Sequence, residues 1–346
     1  MTPDRAVAAT TISWMVPAPV DQRERLDAWC ETAGPPVIAP RAGGAARASR
    51  TTWNDGDSVS PRLIADPIQS DELIVVSWNV HAGTGDVAEL VRRLRSGALT
   101  GGRPATRFVL LLQEAMRAGS AVPAALPSGV RPPRAAGLGG SQTDIVHLSQ
   151  ALGLSLYYMP SMRNGAPRVT DQDRGNAIMS TEPLTEFSAI ELPFERQRRV
   201  AIEATVSVGT RPGDRWTLRM VSAHLESTVP ASRLWVLANG ARVRQAKGLL
   251  QALGTDPGLV LSGDFNTWLG FSDPAYRAID ELVPGIARDD RRPTFKPFFR
   301  LDHMFARLPE GWSVVTRRLD DRLGSDHYPL LAMLRHARPG SVAQTN

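Results

Sequence analysis

Three short segments in the last third of this 346-residue sequence carry carboxylates, an amide or an imidazole at the end of an apolar run. They are Gly263-Asp264-Phe265-Asn266, Leu301-Asp302-His303 and Ser325-Asp326-His327. Short apolar runs bounded by Gly and Pro are typical of buried strands, and polar groups at the ends of such strands face a shared cleft. This arrangement predicts a metal-assisted phosphoesterase.

The residue types within these segments suggest a division of chemical tasks. Asp264 and Asn266 lie two residues apart, so in an extended segment both side chains project to the same side. The carboxylate could align an attacking water while the amide holds a phosphate oxygen, although the segment could also be an ordinary turn. An Asp that accepts a hydrogen bond from an imidazole fixes its tautomer and supports its positive charge, so we pair Asp302 with His327.

Three further polar residues stand at the ends of earlier apolar runs. Glu114 follows a strand that is apolar on both faces, and a carboxylate at that rim suits a hard divalent cation. Asn79 could orient a phosphate or a metal-bound water, and His224 could donate to a phosphate oxygen or protonate a leaving group. Taken singly, each of the three could instead be a solvent-facing, turn-forming or structural residue.

The composition restricts the kinds of metal cofactor and of binding partner that the chain could have. Cys30 is the only cysteine, which excludes an intrachain disulfide and a cysteine-rich zinc site. Any metal would therefore have oxygen and nitrogen ligands, which points to Mg²⁺ or Mn²⁺. The net charge of +5 favours polyanionic partners, and arginine supplies nearly all of the positive charge. The planar guanidinium group of arginine binds phosphate oxygens in a bidentate way that lysine cannot match. Codon bias in the genome could equally explain the excess of arginine over lysine.

No apolar stretch reaches the roughly 18 residues that cross a bilayer, so we expect no transmembrane segment. The mildly apolar residues 6–20 contain Pro17 and Pro19 and follow Asp4, a pattern that does not fit a signal peptide. These features slightly favour a cytoplasmic location, with export left open if translation starts at another codon. We also expect a monomer.

The apolar periodicities predict a mixed architecture. Strands are expected from buried apolar runs, and helices from apolar residues at a spacing of about 3.6. Because the two are mixed without strict alternation, we expect two stacked mixed sheets with helices outside rather than a doubly wound sheet. The predicted strands are 73–79, 107–114, 154–159, 176–179, 200–208, 216–223, 259–261, 301–305 and 328–334, and the predicted helices start near 87 and cover 145–152 and 232–253. A long loop is expected from 122 to 140.

The predicted domain boundaries follow composition. Residues 1–70 are rich in Pro, Gly, Ala and Arg, which predicts an irregular N-terminal extension. Residues 71–336 form the predicted catalytic domain, and residues 337–346 a flexible tail. A compact unit of the size of this chain buries roughly 75% of its unfolded surface, so its core does not need disulfides or structural metals for stability.

Together these motifs resemble those of the endonuclease/exonuclease/phosphatase superfamily, the deoxyribonuclease I-like proteins, from about Leu73 to Leu334. The segments that stand in the family's order are Ser77-Trp78-Asn79, Leu112-Gln113-Glu114, Ala223-His224-Leu225, Gly263-Asp264-Phe265-Asn266, Arg300-Leu301-Asp302-His303 and Ser325-Asp326-His327. The resemblance implies an α+β fold, a four-layer αββα sandwich in which helices flank two stacked mixed β-sheets and the site lies at one edge of both sheets. It also implies that Glu114 is the main Mg²⁺ ligand, with Asn79 and Asp326 assisting in metal or phosphate positioning.

The resemblance implies catalytic roles for the remaining motif residues. Asn266 would hold the scissile phosphate, and His224 would contact that phosphate or assist the leaving group. Asp264 would align the nucleophilic water, while Asp302 would support His327 as a base or as a cation that stabilises charge in the transition state. The resemblance leaves the division of labour between Asp264 and His327 open, and no covalent enzyme intermediate is expected.

Among the activities of the family, a Mg²⁺-dependent phosphodiesterase on nucleic acid is favoured. Ala223-His224-Leu225 lacks the Tyr of the exonuclease III branch, and Phe299-Arg300-Leu301-Asp302 replaces the inositol phosphatase signature. His224-Leu225-Glu226-Ser227-Thr228 is similar to a segment of tyrosyl-DNA phosphodiesterases, and the Arg-rich loops 195–199 and 289–292 could follow a phosphate backbone or simply be solvated. The alternatives are a sphingomyelinase-like enzyme on lipid or small-molecule phosphates, for which no exposed apolar hairpin is identified, and a non-catalytic binding protein.

Overall fold

The computed structural model of this protein describes residues 12–15, 33–41, 72–122, 141–163, 172–195, 197–209, 216–227, 239–287 and 289–337. Thirteen strands and four α-helices lie in these ranges. The strands are β1 (Ser13–Met15), β2 (Val37–Ala39), β3 (Glu72–Asn79), β4 (Phe108–Ala118), β5 (Ser155–Arg163), β6 (Gln172–Ser180), β7 (Leu184–Glu191), β8 (Val200–Val208), β9 (Trp216–His224), β10 (Leu259–Asp264), β11 (Asp302–Arg307), β12 (Trp312–Arg318) and β13 (Leu330–His336). The helices are α1 (Val87–Arg95), α2 (Ile145–Leu152), α3 (Asn239–Leu253) and α4 (Pro274–Asp280), and Gly270–Ser272 forms a 3₁₀ turn.

The strands form two mixed sheets. The six-stranded sheet has the order β1-β7-β8-β9-β10-β11, and the seven-stranded sheet has the order β12-β13-β3-β4-β6-β5-β2. In the six-stranded sheet β9 and β10 are parallel neighbours, and in the seven-stranded sheet β3 and β4 are. The ends of these four strands that carry the predicted site residues meet at one edge of the sandwich.

Three buried apolar clusters separate four layers. The first packs the seven-stranded sheet against α1 and α2, and the second lies between the two sheets. The third packs the six-stranded sheet against α3 and α4. Strand β3 contributes to two of these clusters, because successive residues of a strand point to opposite faces of the sheet. Val76 and Trp78 face the helices, while Leu73 and Val75 face the other sheet. The predicted α+β sandwich with helices outside two stacked sheets is therefore confirmed.

Helix α1 illustrates how local sequence starts an element that the core then holds. The Asp86 side chain caps its N-terminus by accepting from the backbone N–H of Glu89. Apolar residues then recur at helical spacing, and all of them are buried against the seven-stranded sheet: Val87, Leu90, Val91 and Leu94. No helix in the described ranges is long and apolar enough to span a membrane.

Several strand bounds differ from the sequence-based predictions. Strand β4 continues past Glu114 to Ala118, because its last residues pair with β6 beyond an irregularity. Strands β7 and β12 were not predicted, since exposed polar residues interrupt both of them and neither contains a long continuous apolar run. The predicted helix 232–253 is described only from Asn239, and the predicted loop at 122–140 lies outside the described residues apart from Val122.

Two short strands lie within the segment that was predicted to be irregular. β1 pairs in parallel with β7 at one edge of the six-stranded sheet, and β2 pairs antiparallel with β5 at one edge of the seven-stranded sheet. Strands of three residues leave no periodic pattern in the sequence, which is why neither was predicted. The division of the chain at residue 70 stays a prediction, and so does the tail, of which only Ala337 is described.

Candidate active site

Three neighbouring strands of the six-stranded sheet align a row of polar side chains. Asp264 at the end of β10 is in register with His224 at the end of the parallel strand β9. On its other side Asp264 is in register with Asp302 at the start of the antiparallel strand β11. Register partners on adjacent strands project to the same face, so the ladder itself places these three side chains together. His224 Nε2 lies 3.6 Å from Asp264 Oδ2.

A glycine and a tight turn complete this row. A Cβ atom at Gly263 would lie 1.8 Å from the carbonyl oxygen of Ala223, so only glycine permits the close approach of β9 and β10. Directly after β10, the backbone N–H of Asn266 donates to Asp264 Oδ1 over 2.9 Å. Asn266 has a φ of 50°, a left-handed conformation that Asn adopts more readily than most residues. Its side-chain amide donates to the carbonyl oxygen of Leu225 over 3.0 Å, which fixes the Asn266 side chain beside the row.

The predicted pairing of Asp302 with His327 is present in the structure. His327 Nδ1 lies 2.8 Å from Asp302 Oδ2, and both side chains are buried. The main chain of His327 is also fixed, since Trp78 Nε1 donates to its carbonyl oxygen over 3.0 Å. The ring of Phe295 packs against the imidazole with 4.7 Å between centroids.

The charge state of His327 follows from its two carboxylate neighbours. Burial alone would lower the pKa of His327, but the negative charges of Asp302 and Asp264 and the hydrogen bond to Asp302 raise it to about 10. The imidazole is therefore a cation at neutral pH. Its Nε2 lies 3.7 Å from Asp264 Oδ2, so the cation faces the carboxylate at the centre of the row.

For Asp264 and His224, unlike His327, burial determines the direction in which the pKa shifts. Burial, reinforced by the charge of Asp302, raises the pKa of Asp264 despite the opposing charge of His327. Burial and the positive charge of Arg199 hold the pKa of His224 well below its ordinary value, so this imidazole is neutral. Asn79 connects the two sheets here, because its amide Nδ2 donates to Asp264 Oδ2 over 3.0 Å.

Glu114 is placed by an irregularity in the seven-stranded sheet. The register between β4 and β6 shifts between Leu112 and Ala115, and Glu114 has a left-handed φ of 54°. Such bulges re-aim side chains, and strained residues of this kind concentrate at functional sites. Glu114 therefore leaves the regular alternation of β4, and its Oε2 accepts from Arg174 Nη1 over 3.1 Å.

The Glu114 carboxylate is ionised. Burial by itself would raise the pKa of Glu114, but the positive charge of Arg174, with further contributions from Arg199 and the cationic His327, outweighs it and lowers the pKa to about 2. The other predicted site residues are linked by direct contacts, whereas the recorded partner of Glu114 is Arg174.

Asp326 lies at the mouth of the site beside an imidazole that the sequence analysis did not consider. His81 Nδ1 is 3.2 Å from Asp326 Oδ1, and about a third of each side chain is exposed. The same Asp326 oxygen is 3.9 Å from His327 Nε2. The backbone N–H of His81 donates to Asn79 Oδ1 over 3.0 Å, which turns the other end of that amide towards Asp264. A polar residue two positions after Asn79 was the signal that could have identified His81.

Two arginines near Glu114 were also not predicted as site residues. Arg174 lies on β6, and its Nη2 is 3.6 Å from the Met162 sulfur. Arg199 is buried and donates from Nη2 to Gln197 and Ser227 over 3.0 Å each. Nothing in the polar start of β6 distinguishes Arg174 in the sequence, whereas Arg199 belongs to the Arg-rich loop 195–199.

The Arg-rich loops are only partly free to contact a phosphate backbone. Arg198 is buried in an ion pair with Glu191, and Arg292 binds both Asp290 and Asp320. Arg291 is exposed. Local ion pairing, which sequence composition does not reveal, therefore removes two of the guanidinium groups that were considered as phosphate contacts.

The donor set fits a divalent cation. The Asp302 Oδ1 atom is buried and has no hydrogen-bond partner in the described part of the chain, whereas Asp326 Oδ1 faces His81 Nδ1 at the mouth of the site. Ligand atoms of Asp264, Asp302 and His327 lie within 4.8 Å of one another. Because metal ligands must be deprotonated, the cationic His327 is unsuitable as a ligand, whereas the ionised Glu114 is suitable. Asn79 Oδ1 accepts one hydrogen bond and keeps a second lone pair.

Comparisons with known proteins identify the family and the fold of this chain. The sequence profile of the Endonuclease/Exonuclease/phosphatase family matches residues 76–327. No curated protein matches the chain. An endonuclease/exonuclease/phosphatase structure from Beutenbergia cavernae DSM 12333 is 20% identical, with a TM-score of 0.50 over 77% of this chain and 72% of that one.

Two further solved structures are more distant. Truncated TDP2 from Caenorhabditis elegans is 17% identical, with a TM-score of 0.46 over 76% of this chain and 97% of that one. Sphingomyelinase C from Streptomyces griseocarneus is 15% identical, with a TM-score of 0.39 over 77% and 99%. At these identities a likeness concerns the fold and not the substrate.

Proposed function

Because the chain belongs to the endonuclease/exonuclease/phosphatase family, we propose that it is a divalent-metal-dependent phosphodiesterase that hydrolyses phosphoester bonds in nucleic acid. Mg²⁺ is the proposed cofactor, with Mn²⁺ as the alternative. The observation that carries the proposal is the buried Asp302–His327 pair facing Asp264 across 3.7 Å. This arrangement offers a fixed carboxylate and a fixed cation side by side at the end of two sheets.

Asp264 is the residue that aligns and deprotonates the attacking water in this proposal. Its Oδ1 accepts from the backbone of Asn266 and its Oδ2 accepts from Asn79, so the carboxylate cannot rotate away. A raised pKa makes it a stronger base than an ordinary aspartate. His327 is already protonated at neutral pH, which supports a role in stabilising negative charge on the phosphoryl oxygens over a role as the base.

The residues proposed to hold the cation are Glu114 and Asp326, with Asn79 beside them. When bound, a divalent cation would polarise a phosphoryl oxygen and neutralise charge that develops in the transition state. His224 is neutral and buried next to Asp264, so it can donate one hydrogen bond to a phosphate oxygen without adding charge. We propose this positioning role for His224 and the same role for the Asn266 amide.

A nucleic-acid substrate is supported by charge. The chain carries a net charge of +5. Arg174 and Arg199 place guanidinium groups around Glu114, where they lower its pKa. Guanidinium groups suit phosphate oxygens, and a chain of phosphates offers more of them than an isolated phosphomonoester.

The test is a hydrolysis panel of single- and double-stranded DNA, RNA, sphingomyelin, an inositol polyphosphate and bis-p-nitrophenyl phosphate, with Mg²⁺, with Mn²⁺ or with EDTA. We expect metal-dependent cleavage of nucleic acid, absent from the His327→Ala variant. His147→Ala is the matched control, because this histidine is exposed on α2. Turnover of sphingomyelin but not of nucleic acid would replace the proposed substrate, and no metal-dependent turnover on any substrate would contradict the proposed catalysis.

A further inference from the structure

A tight turn next to His327 presents an aromatic side chain to solvent. Phe295 and Phe299 pair across this turn, with N–H to carbonyl distances of 2.9 Å and 3.2 Å in the two directions. Lys296 adopts a left-handed φ of 47°, and Pro297 follows it. Phe298 is 80% exposed. We call residues 295–299 the Phe298 turn.

The Phe298 turn is anchored on both of its sides. The rings of Phe295 and Phe299 pack edge-on against Trp268, with centroid distances of 6.1 Å and 5.1 Å. Trp268 follows Asn266 by two residues. Phe295 also packs on the imidazole of His327, and the two residues form a β-bridge. The turn is therefore a fixed extension of the candidate active site.

The exposure of Phe298 is not relieved by any other part of the described structure. Among the described large apolar side chains none is more exposed, and the next are Val315 at 70% and Leu282 at 55%. Leu269, which follows Trp268, is 38% exposed. Because the turn is fixed beside the candidate active site, the exposed face of the Phe298 ring is available to a ligand bound there.

A cation stands in the same turn. Lys296 is exposed, and its Nζ lies 4.9 Å from the centroid of the Phe295 ring. No carboxylate in the described ranges forms an ion pair with Lys296. The turn thus combines a free aromatic face with a free positive charge within three residues.

Building on the proposed function, we propose that the Phe298 turn binds a nucleotide flanking the scissile phosphate, with its unpaired base stacked on Phe298 and its phosphate near Lys296. Proteins that bind single strands combine aromatic platforms with cations in this way, because every base has a stacking face. A lipid surface fits less well. Stable membrane attachment needs more apolar area than one phenyl ring and a half-buried leucine supply.

The proposal is tested by binding rather than by turnover. The probe is a fluorescein-labelled single-stranded oligonucleotide, bound to the Asp264→Asn variant so that cleavage does not interfere. Adding Phe298→Ala should weaken binding by about 5- to 150-fold, the usual value of one stacked base. Phe298→Trp should bind at least as tightly as the parent, whereas Phe298→Leu should lose as much as Phe298→Ala. Val315→Ala is the matched control, because it removes the next most exposed large apolar side chain of the described residues, at a different place.

Two further measurements separate the alternatives. Lys296→Ala should lower the slope of log affinity against log salt by about one, as expected for one phosphate contact. Duplex DNA should be less sensitive than the single strand to Phe298→Ala, since its bases are already stacked.

Equal affinity of the Phe298→Ala and parent proteins would overturn the proposal, as would retention of binding by Phe298→Leu. Loss of sedimentation with sphingomyelin–phosphatidylcholine vesicles on Phe298→Ala, with oligonucleotide binding unchanged, would assign the turn to a membrane surface. The proposed function fails separately, if the wild-type protein cleaves no nucleic acid in the hydrolysis panel.

Discussion

The two sheets supply the candidate site in different ways. The six-stranded sheet contributes His224, Asp264 and Asp302 through ordinary register at three adjacent strand ends. The seven-stranded sheet contributes Glu114 through a bulge with a left-handed residue, and His327 through the turn that precedes β13. We refer to these as the register half and the bulge half of the site.

The difference shows how a fixed geometry can be reached by regular or by strained backbone. In the register half the strands themselves need only glycine at position 263 to approach, and the left-handed residue Asn266 lies after the end of β10. The bulge half has a backbone conformation that costs of order 1–3 kcal/mol at Glu114. Two side-chain hydrogen bonds between predicted site residues join the two sheets here, Asn79 to Asp264 and His327 to Asp302, and His327 also faces Asp264 across 3.7 Å. The halves should therefore act as one catalytic unit while differing in their sensitivity to backbone changes.

The strongest test of this unity removes one group from each half. Asp264→Ala should lower turnover by at least ~10²-fold, since positioned proton-transfer groups typically contribute 10² to 10⁴. His327→Ala should also lower it by at least ~10²-fold, the loss typical when one group that stabilises transition-state charge is removed. The double variant should be little slower than the slower single variant, because residues that act as a unit have non-additive effects. The measurement is kcat on the preferred nucleic acid. Fully additive losses would show that the halves act independently, and wild-type rates would contradict the site assignment.

A second test uses pH to measure how much the positive charge of His327 stabilises the folded protein. The pKa of His327 is raised from 6.5 to about 10 in the folded protein. Its charge therefore stabilises the fold fully below pH 6.5, and this contribution is lost as the pH rises through about 10. The shift corresponds to at most about 5 kcal/mol.

The measurement is denaturant unfolding of the wild-type protein and of His327→Gln in EDTA at several pH values from 6 to 10. The advantage of the wild-type protein in free energy of unfolding should shrink towards the alkaline end. A constant difference across this range would show that His327 is not a buried cation. His147→Gln should follow the wild-type curve, because the His147 side chain is largely exposed.

The register half could be predicted from the sequence more fully than the bulge half. Asp264 lies three residues after the apolar run 259–261 and Asp302 lies within the run 301–305, so strand prediction alone places both near strand ends. Glu114 was predicted as a strand-end residue, yet β4 continues beyond it, and no sequence pattern shows where a ladder will bulge. Arg174 and His81 were missed because their roles depend on contacts with strands or loops that are distant in sequence. Long-range register, and not local propensity, determines those contacts.

The bulge half can also be tested through the divalent cation that Glu114 is proposed to bind. Glu114→Gln keeps the shape of the side chain and removes its negative charge, so affinity for Mn²⁺ should fall at least ~10-fold, the lower range seen even for supporting residues of metal sites. The measurement is a Mn²⁺ titration followed by electron paramagnetic resonance. Glu310→Gln, at an exposed position, is the control. Unchanged affinity would move the proposed cation to Asp264 and Asp302 in the register half.

The smallest expected effect concerns the left-handed backbone conformation of Glu114. Glu114 has a φ of 54°, where a side chain with a Cβ atom costs roughly 1–2 kcal/mol and glycine costs nothing. Glu114→Gly should therefore be more stable than Glu114→Ala by about 1 kcal/mol, although both lack the carboxylate and should be equally impaired in metal binding. Ala115→Gly, one residue further along the same strand, should show the usual order and destabilise the protein. Thermal unfolding of the three variants in EDTA measures these differences. If Glu114→Ala were the more stable variant, the bulge would not be strained, and both halves of the site would be held by ordinary strand geometry.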